Sequence, residues 1–170
     1  PPHAGRRAVS PTPLCPAGNP GSKAGRAWVY LPPAALGAEP PELPVMELMA
    51  GQPGSPGRFF QASHIKGMLD EYASKHDGLA PIVISPDQNG SNSNNSLCAD
   101  TSQGKAETYL TKDVVDWAKK NLPVSDQRWA IGGLSQGGTC ATQPGPRPAE
   151  QDSPIMAVGG ELQPTSGSVG

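Results

Sequence analysis

The sequence predicts an α/β fold, a mostly parallel sheet with flanking helices. Three observations carry this. Short apolar or β-branched runs alternate with longer stretches of helical period. The alternation is strand–helix–strand–helix–strand, which implies βαβ crossovers and hence parallel pairing. Glycine and proline, 21 of each in 170 residues, crowd the two ends and leave a middle of ordinary globular composition.

Residues Pro1 to about Gly25 show neither helical nor strand period and are read as a disordered lead. Arg26–Leu31 is rich in β-formers and is stopped by Pro32 and Pro33, as a strand would be. A Pro-rich loop reaches Glu42, and the apolar run Pro44–Ala50 forms the next strand, closed by the Gly/Pro-rich segment 51–57. From Arg58 to His76, Phe59, Phe60, Ile65, Met68, Leu69, Tyr72 and Ala73 fall three and four apart, the stripe of one amphipathic helix that Gly78 terminates. Ala80–Ser85 is short, β-branched and uninterrupted, the pattern of a strand buried on both faces. The Asn/Ser-rich segment Asp87–Ser96 is a loop. A second helix covers about Ala106–Asn121, with Tyr109, Leu110, Val114, Val115 and Ala118 on one side, and Gln127–Gly132 is the following strand. Residues 133–143 begin a helix that meets Pro144, and Pro144-Gly-Pro-Arg-Pro148 cannot continue it. The ordered portion is therefore expected from Arg26 to Gln143, with residues 144–170 a disordered tail.

A formal net charge of −2, without a basic stripe carrying interleaved aromatics, provides no electrostatic footprint for nucleic acid. No apolar run approaches the roughly 18 residues of a membrane span, and no signal-peptide pattern opens the chain, whose first residue is Pro1 rather than Met. Three cysteines are too few for a disulfide scaffold. The plain expectation is three free thiols, with a Cys98–Cys140 bridge the alternative in an exported protein. Asp87, Asp100 and Glu107 lack a ligand-spacing pattern, so neither metal nor cofactor is predicted. The Asp87–Ser96 loop follows the C-terminal end of a parallel strand and could line a ligand cleft, or simply be solvated. Its Asn89 and Asn94 head N-glycosylation sequons of a kind common by chance.

The most informative motif is Gly133-Leu134-Ser135-Gln136-Gly137. A nucleophile elbow places serine on a sharp strand-to-helix turn, with small residues two before and two after so that the backbones can approach. Chance alone supplies about 0.2 such matches in a chain of this composition, so the pattern by itself is weak. Its position directly after an apolar strand and before a helix start is where the mechanism requires it. Acyl transfer also needs two backbone N–H donors for the oxyanion, one from the residue after the nucleophile and one from an earlier strand-to-helix loop. Gln136 is the first candidate. Pro53 has no N–H, so the loop after Ala50 leaves Gly51 or Gln52, of which Gln52 is favoured.

With these residues in view, the chain resembles the putative-esterase family. The resemblance rests on Val29–Pro33, Leu48–Pro56, Ser85–Asp87, Leu97–Asp100, Thr108–Val114 and Gly132–Cys140, in that order, and covers about two-thirds of the chain. Relatives include the antigen 85 mycolyltransferases and esterase D, with actinobacterial cell-envelope esterase-like proteins the nearest in likeness. The resemblance implies an α/β-hydrolase fold, of which this chain would hold the N-terminal half. It also implies Ser135 as nucleophile, with Gln136 and Gln52 at the oxyanion positions. The substrate would be a small-molecule or lipid acyl ester and the location extracellular or in the cell envelope, with membrane association implied by resemblance only.

The chain departs from the family pattern after Ser135. The family's acid and histidine follow the serine, whereas His3, His64 and His76 all precede it. His64 and His76 belong to the first helix and read as surface residues. Asp152 and Glu161 lie in apparent coil, and neither is assigned as the acid. The expectation is that residues 144–170, and the lead before Gly25, are not family sequence, as a frameshift or misjoined exon would leave them. Two functions follow: a serine esterase or acyltransferase with little turnover in this polypeptide, or a non-catalytic fold that at most binds ligands or partners.

Overall fold

The computed structural model describes residues 9–12, 27–143 and 153–161. The other parts of the predicted lead and tail, with His3, Cys15, Pro144 and Asp152, lie outside the described residues.

The elements in chain order are β1 (Val9–Thr12), β2 (Ala27–Tyr30), β3 (Leu43–Met49), α1 (Pro56–Ser63), α2 (Ile65–Ser74), β4 (Ile82–Ser85), β5 (Asp100–Thr101), β6 (Gly104–Lys105), α3 (Ala106–Thr108), α4 (Val114–Asn121), β7 (Val124–Leu134), α5 (Gln136–Thr142) and β8 (Ile155–Val158). A π-helical turn, Tyr109–Asp113, joins α3 to α4, so the predicted second helix is one continuous rod with a bulge in it. Six strands form one sheet in the order β1-β2-β4-β3-β7-β8, and β5 pairs with β6 as a separate ribbon. β4, β3, β7 and β8 run parallel, whereas β1 and β2 are antiparallel. With helices on both faces, this is part of an α/β-hydrolase fold.

Three expectations need correction. First, the lead and tail are not without regular structure: β1 pairs with β2, and β8 pairs in register with β7, Ile131 opposite Ile155 through Leu134 opposite Val158. Both strands are four residues long and flanked by Pro and Gly, too short for a period of two to stand out. Second, the first helix is two helices. His64, at φ 52°, serves as C-cap of α1 and N-cap of α2, and Ser63 Oγ accepts the Ile65 N–H at 3.4 Å. A one-residue break barely shifts the apolar stripe, so periodicity cannot see it. Third, Cys98 and Cys140 are not free thiols but a disulfide with Cα atoms 5.6 Å apart.

The core lies on both faces of the sheet. On one face Val45, Met49, Ile82, Ile84 and Ile131 pack with Leu110, Val114 and Ala118 of the π turn and α4. On the other, Leu48, Val83 and Tyr30 meet Phe60 of α1 and Ala73 of α2. Tyr30 also donates its hydroxyl to Asp70 Oδ1 at 3.1 Å, which ties α2 to the sheet. Pro44 interrupts β3. Having no N–H, it cannot donate to the ladder, and pairing with β7 jumps from Leu43–Val124 to Val45–Trp129. The buried Trp129 indole N–H closes the resulting bulge by donating to Ser125 O at 3.0 Å.

One charged residue is set in the middle of this sheet. Glu47 of β3 lies between Ile84 and Ile131, and its Oε1 is buried without a hydrogen-bond partner. Burial pushes its carboxyl from the ordinary 4.5 up to about 8, because low-dielectric surroundings disfavour the charged form. The unfolded chain thus releases this proton near 4.5 while the folded chain holds it to about 8, so stability falls as pH rises between those values. The loss is expected to be on the order of 4 kcal/mol. In Glu47→Gln the slope should flatten and stability at pH 8 should rise, measured by urea unfolding across that range. The disulfide, with a sequence separation of 42, should contribute about 4 kcal/mol by restricting the unfolded chain. Reductant, or Cys140→Ser, is expected to lower Tm by roughly 10 °C, with the reduced wild type and the variant melting together.

Candidate active site around Ser135

Ser135 is the single residue between β7 and α5, and its backbone is at φ 54°, ψ −122°. Positive φ is costly for a residue with a Cβ and persists only when the surroundings over-determine it. Here they do. Ser135 N–H donates to Val158 O at 2.8 Å, and Ser135 O accepts Thr139 N–H at 3.0 Å. Thr139 Oγ1 in turn accepts the Glu161 N–H at 2.8 Å. The end of β8 therefore fastens the turn, a role invisible in a tail read as coil.

The glycines on either side allow the approach. A Cβ on Gly133 would lie 2.3 Å from the backbone of Gly137, and one on Gly137 only 2.2 Å from Met49 O. Helix α5 thus sits with its backbone directly on the ends of β7 and β3. The chain leaving β3 is equally near: a Cβ on Gly51 would meet Ser135 Cβ at 3.1 Å. The Gly51–Gln52 turn and the serine consequently share one cavity of about 350 Å³, which Leu134, Arg58 and Phe59 also line. The Ser135 side chain is exposed to it.

The side chain of Gln136 holds the neighbouring Asn-rich loop, a role that no motif in the sequence marks. Its Oε1 accepts Asn89 Nδ2–H at 2.9 Å and Gln88 Nε2–H at 3.3 Å, and its Nε2 donates to Asn89 Oδ1 at 3.0 Å and Asn95 Oδ1 at 2.8 Å. Gln88 also donates to Ala50 O at 2.8 Å, and Gln52 Nε2 reaches Ser93 O at 3.1 Å. The Asn-rich loop is thereby pinned to both chains that form the serine turn, with Gln88 and Asn89 buried. It also walls a second cavity of about 280 Å³, with Lys105 and Tyr109 on the far side. The disulfide repeats the connection covalently, since Cys98 ends the loop and Cys140 lies on α5. Amide-rich composition signals a loop, but nothing in it says which amide will hold which.

The structure brings together Ser135, Gln136, Gln52, Gly133 and Gly137. The two described histidines do not join them. His64 is the joint between α1 and α2, and His76 stacks on Tyr72 with ring centroids 3.9 Å apart. Neither lines the serine cavity. Glu161 is exposed and approaches the site through its backbone. Asp100 opens β5 and is tied to Thr108 of α3: against the desolvation that would raise it, hydrogen bonds from Thr108 N–H and Oγ1–H hold its carboxyl below the usual range.

Because the Gly137 clash is with backbone, nothing can swing aside. Gly137→Ala is expected to cost at least about 3 kcal/mol, from overpacking at a rigid contact. Gly67→Ala is the control: nothing lies within 4 Å of its Cβ site on α2, so the change should stabilise by about 0.5–1 kcal/mol. Chemical denaturation of both variants checks the contrast.

Known proteins share this architecture. The family model described as Putative esterase matches residues 23–143. An uncharacterized protein of Corynebacterium glutamicum is 40% identical over 144 residues, which is 84% of this chain and 34% of that protein. The chain thus spans about a third of the length of this curated relative. Among solved structures, a ferulic acid esterase superposes with a TM-score of 0.69 at 21% identity, over 81% of this chain and 53% of the other. An S-formylglutathione hydrolase from Agrobacterium tumefaciens gives 0.54 at 21% identity, over 69% and 46%. A fluorophosphonate-binding serine hydrolase of Staphylococcus aureus gives 0.54 at 19%, over 78% and 48%. These likenesses show the α/β-hydrolase fold, and the family match covers most of the chain: it belongs to the putative esterase family.

Proposed function

We propose that the protein is a serine esterase or acyltransferase, with Ser135 as nucleophile. The observation that carries this reading is the backbone of Ser135, held at positive φ between β7 and α5 and open to the cavity it shares with the Gly51–Gln52 turn. In the proposed reaction Ser135 Oγ attacks the acyl carbonyl and its proton passes to a base. The backbone N–H groups of Gln136 and Gln52 stabilise the oxyanion. Collapse releases the alcohol and leaves an acyl-serine, which water or a second alcohol then cleaves. The family and the hydrolase neighbours support ester chemistry, with a small-molecule or lipid acyl ester as substrate. The Cys98–Cys140 disulfide supports an extracellular or envelope location, because disulfides persist in oxidising compartments.

The position of the histidines bears on rate. With neither His64 nor His76 at the cavity, no histidine of the described residues is placed to take the Ser135 proton, and an unactivated hydroxyl is a poor nucleophile. The same observation favours, as a second reading, a protein that binds esters without turning them over. Fluorophosphonate labelling tests both. Slow labelling of this polypeptide, lost in Ser135→Ala, is expected. Labelling that survives the substitution would remove Ser135 as nucleophile, and rapid labelling would remove the non-catalytic reading.

A further inference from the structure

The cavity in front of Ser135 has a charge character that the proposed chemistry does not require. Its walls are largely apolar, from Pro53, Phe59, Ala62 and Leu134, and among the described residues no carboxylate lines it. Among the described residues its single charged side chain is Arg58. The ion pairs of the described residues join Lys66 to Asp70, Lys75 to Glu71, Lys112 to Asp116 and Lys119 to Asp126, and none involves Arg58. The start of α1 adds to this positive character. Gly54 and Ser55 bring it to the cavity, and its first turn holds no acidic residue. A helix start carries partial positive charge, although here Pro56 has no N–H and Ser55 accepts those of Arg58 and Phe59, so the guanidinium is left as the donor group.

Resting on the esterase reading, we propose that Arg58 is a specificity-determining residue and that the substrate is an ester carrying an anionic group, carboxylate or phosphate, a few bonds from its carbonyl. The guanidinium is suited to this, since its planar fork of N–H donors matches a carboxylate or phosphate edge. A cavity of about 350 Å³ accommodates a short ester with such a group, the linking methylenes lying along Phe59 and Ala62. The neutral long-chain ester, lacking the anion, would leave the guanidinium without a partner.

The test uses the full chain with Ser135→Ala, so that binding is measured without acylation. Monoethyl succinate carries its charge on the acyl side of the ester and acetoxyacetate on the alcohol side; diethyl succinate is neutral. By NMR titration at pH 7, at least one of the anionic esters should bind about fivefold or more tightly than the neutral one, and which of them does so identifies the half of the substrate facing Arg58. Adding Arg58→Gln should erase the preference, and Arg58→Lys should keep part of it. Equal or tighter binding of diethyl succinate, a preference unchanged by Arg58→Gln, or no saturable binding of any of the three overturns the proposal. Arg58 is exposed, so the variants should retain the wild-type fold, checked by circular dichroism. Should the glutamine variant nevertheless unfold, the lysine variant decides: affinity for the anion unchanged from arginine counts against a planar fork. Failure here bears on Arg58 alone, whereas loss of Ser135 labelling bears on the esterase reading.

Discussion

The close seating of α5 on the ends of β3 and β7 is the constraint around which the rest of the site is arranged. Backbone rests on backbone there, through Gly133, Gly137 and Met49, with no side chain between to absorb error. Such a contact leaves the helix start little room to shift. That precision is what a strained serine requires, because the left-handed turn is held by its surroundings and not by its own preference. Packing and chemistry are therefore one problem at this position: residues that make the helix fit also aim the hydroxyl.

The loops around the site are organised by the same economy. Gln136, the residue after the serine, uses its side-chain amide to grip Asn89 and Asn95. One residue thus joins the turn to the wall beside it. Amide pairs of this reciprocal kind are specific in geometry, since donor and acceptor must both be matched, and burial of Gln88 and Asn89 makes a mismatch costly. Glu47 represents the opposite case within the same strand system. Its Oε1 is buried without a hydrogen-bond partner, and burial favours the protonated carboxyl up to about pH 8.

Much of this was legible in the sequence. Apolar runs at Pro44–Ala50 and Ala80–Ser85 announce buried parallel strands because both faces are covered and, Glu47 and Ser85 aside, no polar residue is needed. The serine turn is legible because close backbone approach demands glycine, and glycine at two fixed positions is a readable mark. The break at His64 was not legible, because a helix axis can bend between two turns without disturbing which residues face the core. Nor was β8, whose Ile155–Val158 is apolar but exposed and is held by register with β7, a long-range relation with no local signature. The disulfide was visible only as one option among others, since pairing depends on where α5 and the loop before β5 come to lie. Apart from the local break at His64, what has no mark in the sequence is in each case a contact between segments distant along the chain.

The bridge between Cys98 and Cys140 also changes what counts as one piece. The residues it encloses run from the β5–β6 ribbon through α4 and β7 to the start of α5. With both ends tied, continuity of the molecule across that span no longer depends on each peptide bond in it. A cut at the exposed turn Thr101–Gln103 would leave the severed ends held through sulfur, with the serine turn still fastened to the loop that walls it. In a compartment rich in proteases, the exposed ribbon is then a part the protein can have nicked without coming apart.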